Sequence, residues 1–344
     1  MTVNCRSGGL ARLPFRPVEK GSETSVPLPP LDFMRLVGTL QPTREAMIAS
    51  YLEVGLACRT DIESALGSDW SWQDKRLLDF GCGAGRLLRQ ILDWAEIAEV
   101  HGSDLDEPMV TWARANLSPP VAGIELNGFD PPLAYEDDYF DVVTAFSVFT
   151  HLGTNWADWL LEVRRVLKPG GILIASILDQ SCAQSLTEVP YEEDAVGMSI
   201  WAYANPEIPY VNVLHSHWWL REHWGRAFEI LSIEAGSYDE RRPEAVEIPG
   251  QGLVIARAKD SELTPLDLER ENPGDDRYVA AHRHQQEMFK AEAESLKKRY
   301  RDSEIRFALL EESHADAVRA SASPSISARL RGLKRRWSGD SPDQ

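Results

Sequence analysis

A glycine-rich run at residues 77–90 constrains the fold of this 344-residue chain more than any other segment. An apolar stretch ends there at Asp79, and an amphipathic helical pattern begins a few residues later, over 86–94. The glycines between them alternate, at Gly81, Gly83 and Gly85. Glycine allows a tight turn and a close approach of backbone to ligand, and a helix N-terminus points free N–H groups at that ligand. The run therefore predicts a strand, a ligand-binding turn and a helix.

Strands and helices alternate along the chain after this turn. The predicted strands are 76–80, 100–103, 124–127, 140–145, 172–177, 228–234 and 252–258. The predicted helices are 86–94, 107–116, 156–167 and 217–224, and helical spacing over 31–66 predicts an N-terminal helical cover. Parallel strands need long crossovers, usually helices, so this order predicts a doubly wound, mostly parallel α/β sheet.

Composition shifts divide the chain into four parts. Residues 1–30 are rich in proline, glycine and serine, which predicts a flexible arm, and 31–260 form the main domain, with its core at 70–260 and an insertion at 179–216. Apolar residues spaced three and four apart follow at 275–317, which predicts an amphipathic helix or a coiled coil through which the chain could form homo-oligomers. A charged helix packed on the domain is the alternative. The serine- and arginine-rich tail, 318–344, is predicted to be disordered.

Charge and composition exclude several functions. The net charge of −18 repels phosphate backbones, so nucleic acid is not expected as the main substrate. No apolar stretch approaches the roughly 20 residues of a membrane span. The four cysteines form no Cys-x-x-Cys pair, which predicts free thiols, no metal site and a cytoplasmic location.

Three later segments make a family resemblance specific. They are Phe-Asp-Val-Val at 140–143, Ser-Val-Phe-Thr-His-Leu at 147–152 and Arg-Val-Leu-Lys-Pro-Gly-Gly at 165–171. With the glycine run, they resemble the class I S-adenosylmethionine-dependent methyltransferases of Rossmann-like fold, in the branch that acts on small molecules. The resemblance covers 70–260. It implies a seven-stranded, mostly parallel sheet with an antiparallel last strand, S-adenosylmethionine as cofactor, and methylation of a small molecule, such as a sugar or another metabolite.

Candidate cofactor residues follow the ends of the first four strands. A dinucleotide turn needs a third glycine where this chain has Arg86, which disfavours an NAD-linked oxidoreductase, although that alternative stays open. Asp104 closes the second strand and can accept hydrogen bonds from ribose hydroxyls, whereas Asp106 is expected to cap the next helix. The resemblance places the adenine near the loop after the third strand. The candidates are Asp79, Gly81, Gly83, Gly85, Asp104, Leu105, Phe129, Asp130 and Phe146.

A general base is needed if the acceptor keeps its proton near pH 7, as a sugar hydroxyl does. The candidate bases are His151, which follows the fourth strand, His215 in the insertion, and Asp179 after the fifth strand. Aromatic residues of the insertion are candidates for a lid: Trp201, Tyr203 and Tyr210. A non-catalytic binding or scaffold protein with this fold is the alternative of a different class.

Overall fold

The computed structural model describes residues 26–37, 41–186, 189–202, 211–236 and 251–322. The helices are α1 (Leu31–Val37), α2 (Arg44–Leu66), α3 (Glu107–Leu117), α4 (Trp156–Val166), α5 (Gln180–Leu186), α6 (His217–Ala227), α7 (Pro265–Glu269) and α8 (Asp276–Ala322). The strands are β1 (Arg76–Phe80), β2 (Glu99–Asp104), β3 (Gly123–Leu126), β4 (Phe140–Ala145), β5 (Leu167–Ile177), β6 (Met198–Ala202), β7 (Val211–His215), β8 (Phe228–Ala235) and β9 (Gly252–Ala258).

A seven-stranded sheet organises the main domain in the order β3-β2-β1-β4-β5-β9-β8. The first five of these strands are parallel, and β9 runs antiparallel to both β5 and β8. The predicted fold class is thereby confirmed, including the antiparallel last strand. The insertion contributes a separate two-stranded antiparallel sheet, β6-β7.

Helices cover both faces of the large sheet because its central strands are apolar on both sides. Leu77 and Leu78, successive residues of β1, are both fully buried, in different core clusters. One cluster includes Trp159 of α4 and Trp224 of α6, and the other includes Ile62 of α2. Since neighbouring strand residues point to opposite faces, the domain has two cores separated by the sheet.

The prediction of an α-helix at 86–94 is wrong. The chain instead forms two short 3₁₀ turns, Leu88–Gln90 and Trp94–Glu96. Helix α2 lies directly against this segment, because a Cβ on Gly55 would be only 2.5 Å from the carbonyl oxygen of Arg86. The segment is confined between α2 and the sheet. Its backbone N–H groups donate mainly to the carbonyl three residues earlier, which winds the chain more tightly than an α-helix does.

The segment around Pro265, between the predicted main domain and the predicted amphipathic helix, is packed against the domain. Thr264 and Asp267 form a reciprocal capping box, which fixes the start of α7, and Leu268 is fully buried. The long helix α8 then runs past the predicted end at 317 to Ala322. Residues 1–25 of the predicted arm and 323–344 of the predicted tail lie outside the described residues.

The chain divides into two compact units, Met1–Phe289 and Lys290–Gln344. The first unit holds both sheets and the first turns of α8. The described part of the second unit is the remainder of α8. Among the described residues, no helix combines the length and apolar character that crossing a bilayer demands.

Candidate methyl-donor and acceptor site

The glycine turn after β1 requires glycine at its first and last positions. Gly81 and Gly85 have φ angles of 80° and 77°, in the left-handed region that favours glycine. A Cβ would lie 2.3 Å from Val148 Cγ2 at Gly81 and 2.2 Å from Leu117 Cδ1 at Gly85. The turn is therefore pressed between α3 and the loop that follows β4, at the carboxyl edge of the sheet.

Asp104, at the end of β2, holds this turn. Its carboxylate accepts hydrogen bonds from the backbone N–H of Gly83 (2.7 Å) and of Asp106 (2.9 Å). Burial raises the pKa of Asp104. Asp106 caps α3 by accepting a hydrogen bond from Met109 N (2.9 Å), which is the role expected from the sequence. The two acids thus act differently, and Asp104 is the one that joins the turn to the strand end.

Asp79 is a buried acid at the end of β1. Asp79 is only 3% exposed, and its carboxylate accepts a hydrogen bond from Thr144 Oγ1 (3.1 Å). Burial raises the pKa of Asp79 to about 7, although the Thr144 hydrogen bond and the Arg86 charge oppose that rise. A bound cation would stabilise the ionised form, so this position suits an ammonium or sulfonium group.

The other predicted cofactor residues lie on the neighbouring strand ends. Leu105, directly after β2, and Phe129, in the loop after β3, are 52% and 74% exposed. Trp159 Nε1 donates a hydrogen bond to the carbonyl of Phe129 (3.0 Å), which fixes that loop on α4. Asp130 is exposed, and Phe146 is half-buried after β4. Because β3, β2, β1 and β4 are adjacent in the sheet, the candidates occupy one continuous edge.

An acid–histidine pair, which sequence reasoning missed, lies at the end of β5. His217 Nε2 donates a hydrogen bond to Asp179 Oδ2 (3.0 Å), while Asp179 Oδ1 accepts from Ser181 N and Oγ (2.9 and 2.6 Å). Burial tends to raise the pKa of Asp179, but the hydrogen bonds from His217 and Ser181 outweigh it and lower that pKa. The Asp179 hydrogen bond raises the pKa of His217. The pair lies 38 positions apart in sequence, so spacing gave no sign of it.

The same edge contains a strained serine. Ser147, in the loop after β4, has a φ of 58°, which is uncommon for a residue other than glycine. Its N–H donates to Ser176 Oγ (2.6 Å), and its hydroxyl donates to Gln251 Oε1 (3.1 Å). A Cβ at Gly252 would lie 2.7 Å from Asp179 Oδ2. The ends of β4 and β5 and the start of β9 therefore form a fixed polar patch beside the glycine turn.

The two predicted histidine bases occupy different surroundings. His151 Nδ1 donates to the carbonyl of Val211 (2.8 Å), and burial lowers the pKa of His151. His215 is 1% exposed and packs against Trp219 and Trp224, and burial lowers its pKa to about 3. Both assignments stay predictions. His215 is enclosed by tryptophans, whereas His217, two residues later, is half-exposed.

The predicted lid residues Tyr203 and Tyr210 lie outside the described residues, as does the Trp201 side chain. Within the described ranges, no group of three or more His, Cys, Asp or Glu side chains is arranged to hold a metal ion. Cys58, Cys82 and Cys182 are buried free thiols.

This fold and this sheet edge agree with what the resemblance to class I methyltransferases implies. The residues present fit S-adenosylmethionine: the buried Asp79 carboxyl suits a cation, and Asp104 places carboxylate oxygens where a ribose can be bound. When bound, this cofactor supplies an electrophilic methyl group on a sulfonium. An NAD-type turn fits less well, since Arg86 occupies the place of its third glycine.

Comparison with known proteins supports a methyltransferase domain in part of the chain. Residues 78–175 match the family model described as "Methyltransferase domain". The chain is 30% identical over 122 residues to a ubiquinone biosynthesis O-methyltransferase of Roseobacter denitrificans, covering 35% of this chain and 48% of that protein. It is 29% identical over 175 residues to a tRNA U34 carboxymethyltransferase of Hydrogenovibrio crunogenus, covering 46% and 49%.

The chain thus spans about half the length of these curated relatives. Among solved structures, an S-adenosylmethionine-dependent methyltransferase from Mesorhizobium loti matches with a TM-score of 0.45 and 20% identity. That match covers 60% of this chain and 99% of the other.

Proposed function

We propose that this chain transfers a methyl group from S-adenosylmethionine to a hydroxyl oxygen of a small molecule, such as a sugar or another metabolite. The observation that carries the proposal is the pairing of two polar sites on one sheet edge. The donor side comprises the glycine turn with Asp79 and Asp104. The acceptor side comprises Asp179 and His217 at the end of β5.

The Asp179–His217 pair supports a hydroxyl acceptor. Because Nε2–H of His217 is directed at Asp179, the neutral imidazole has its lone pair on Nδ1. Among the described residues, none forms a hydrogen bond with that Nδ1. His217 Nδ1 would accept the hydroxyl proton as the acceptor oxygen is methylated, and bound S-adenosylmethionine would supply the methyl group and leave as the neutral thioether. Asp179 stabilises the imidazolium that results.

Donor binding is tested first, by calorimetry with S-adenosylmethionine. We expect the wild-type protein to bind it and Asp104→Ala to bind about tenfold more weakly or worse, because a hydrogen bond to a charged group is lost. Asp106→Asn keeps the helix cap and is the matched control, with affinity close to wild type. Absence of binding by the wild-type protein would overturn the proposed function and favour a scaffold protein.

Acceptor chemistry is tested with methyl-labelled S-adenosylmethionine and a cell extract separated into small-molecule and RNA fractions. We expect label in the small-molecule fraction. His217→Gln should lower its transfer by about 100-fold, the typical contribution of a general base, while leaving donor affinity unchanged. His282→Gln, on the exposed part of α8, is the matched control. Full transfer by His217→Gln would remove His217 as the base, and His151→Asn would then be the next variant to measure.

The Gly252→Ala variant tests the positioning of the pair without altering a titratable group. Its added methyl would be 2.7 Å from Asp179 Oδ2, so the carboxylate must move. We expect slower transfer and an altered pH profile with unchanged donor binding. Label confined to the RNA fraction would contradict the small-molecule acceptor while leaving methyl transfer itself intact.

A further inference from the structure

The first turns of α8 pack on the main domain with one side only. Tyr278, His284 and Met288 are buried, and His284 Nδ1 lies 2.8 Å from Ser199 Oγ in the insertion sheet. The other side of the helix faces solvent, since Phe289 is 53% exposed. The first turns of α8 therefore leave one face uncovered, and Phe289 lies on it.

An apolar seam continues along that uncovered face. Its residues are spaced alternately four and three apart, which is the heptad pattern of a coiled coil. The apolar members of the seam are Phe289, Ala293, Leu296, Tyr300, Phe307 and Leu310, and Ser303 is a polar position within it. The five large members are between 47% and 66% exposed. The pattern extends from 289 to 310, or about three heptads, which is the lower limit at which such a repeat indicates a coiled coil.

The charged residues beside the seam indicate which partner would pack against it. In a parallel, in-register coiled coil, the residue before each a position faces the residue five places later on the other helix. With Ala293, Tyr300 and Phe307 at a positions, three such pairs arise between two copies. They are Glu292 with Lys297, Arg299 with Glu304, and Arg306 with Glu311. Each pair is attractive, and each occurs twice in a symmetric dimer.

We propose that α8 forms a parallel, in-register two-stranded coiled coil with α8 of a second copy of this chain, through the seam. Leucine occupies the d positions 296 and 310, as it commonly does in parallel two-stranded coiled coils. The intrahelical pair of Lys297 with Glu294 (2.7 Å) does not oppose this, because both side chains are more than half exposed and such pairs contribute little.

The proposal is tested on the full chain by sedimentation across a range of concentrations. We expect the wild-type protein to reach twice the monomer mass of 38.6 kDa. Arg299→Glu and Glu304→Lys should each weaken the dimer by about tenfold, because two attractive pairs become repulsive. The double variant restores both pairs and should return to wild-type affinity.

Matched controls change the charge of neighbouring residues that point away from the seam. Lys298→Glu and Asp302→Lys occupy outer heptad positions, so both should dimerise like wild type, and circular dichroism should show equal helix content in all variants. A monomeric wild-type protein overturns the proposal. A double variant as weak as the single variants also overturns it, because an antiparallel pairing would not be restored by this exchange.

Discussion

At the residue scale, Asp79 determines how the donor site responds to pH. Its carboxyl group is buried at the end of β1, and burial raises its pKa to about 7, well above the usual value for an aspartate. A folded-state pKa above the unfolded value of 3.8 means that the folded protein loses stability as pH rises from that value to about 7, above which the loss is complete. The free protein therefore holds this group partly protonated near neutral pH.

We predict that the affinity for S-adenosylmethionine falls as pH is lowered from about 7.5 to about 6, by up to about tenfold per unit below the pKa of Asp79. A cation bound there favours the carboxylate, so binding at low pH must release a proton. Calorimetry in buffers of different ionisation enthalpy measures that proton. Asp79→Asn should bind the cofactor weakly and with no such pH dependence; an unchanged dependence would assign the proton to another group.

At the scale of elements, the contact of α2 with the 3₁₀ segment places the N-terminal cover over the donor turn. Gly55 makes this contact possible, because the nearest atom to a Cβ there belongs to a backbone carbonyl, which cannot rotate away. Gly225, inside α6, has open space in the same direction. The two glycines therefore serve different purposes, although both lie inside helices.

We predict opposite effects for the two alanine substitutions. Gly55→Ala should lower the free energy of unfolding by about 1–3 kcal/mol, since overpacking forces the backbone apart, and it should also weaken cofactor binding. Gly225→Ala should raise the free energy of unfolding by about 0.5–1 kcal/mol, because alanine favours the helix. Thermal and denaturant unfolding measure both, and a stabilised Gly55→Ala variant would show that α2 moves freely over the turn.

At the scale of the whole molecule, the net charge of −18 disfavours the approach of polyanions. The site itself adds buried acids, which suits a cationic donor and opposes a polyanion. One relative is named a tRNA U34 carboxymethyltransferase. The two acceptor classes to compare are therefore RNA and small molecules, and the negative charge of this chain disfavours RNA.

We predict no measurable affinity of the full chain for bulk tRNA at physiological salt. Fluorescence titration at two ionic strengths measures this, because binding through phosphates weakens steeply with salt. Salt-dependent binding would instead indicate that a local basic segment overrides the net charge.

The sequence predicted the strands better than the contacts between residues far apart in the chain. Buried strands such as β4 and β5 are apolar runs bounded by breakers, and the glycine turn with Asp104 follows from local spacing. The segment at 86–94 has the apolar pattern of an α-helix. It forms 3₁₀ turns instead because it packs against α2, which is distant in sequence. His217 was missed because its partner, Asp179, lies at the far end of the insertion.

The sequence by itself determined the fold class and the match of residues 78–175 to a methyltransferase domain, because these depend on short motifs whose residues act on their immediate neighbours. Only the tertiary structure decided that Asp79 is buried with a raised pKa, that His215 is enclosed by tryptophans, and that His217 meets Asp179. The physical reason is that burial and long-range hydrogen bonds arise from elements brought together by the sheet. At the glycine turn, sequence and tertiary structure point to the same residues, since both the backbone angles and the close neighbours require glycine there.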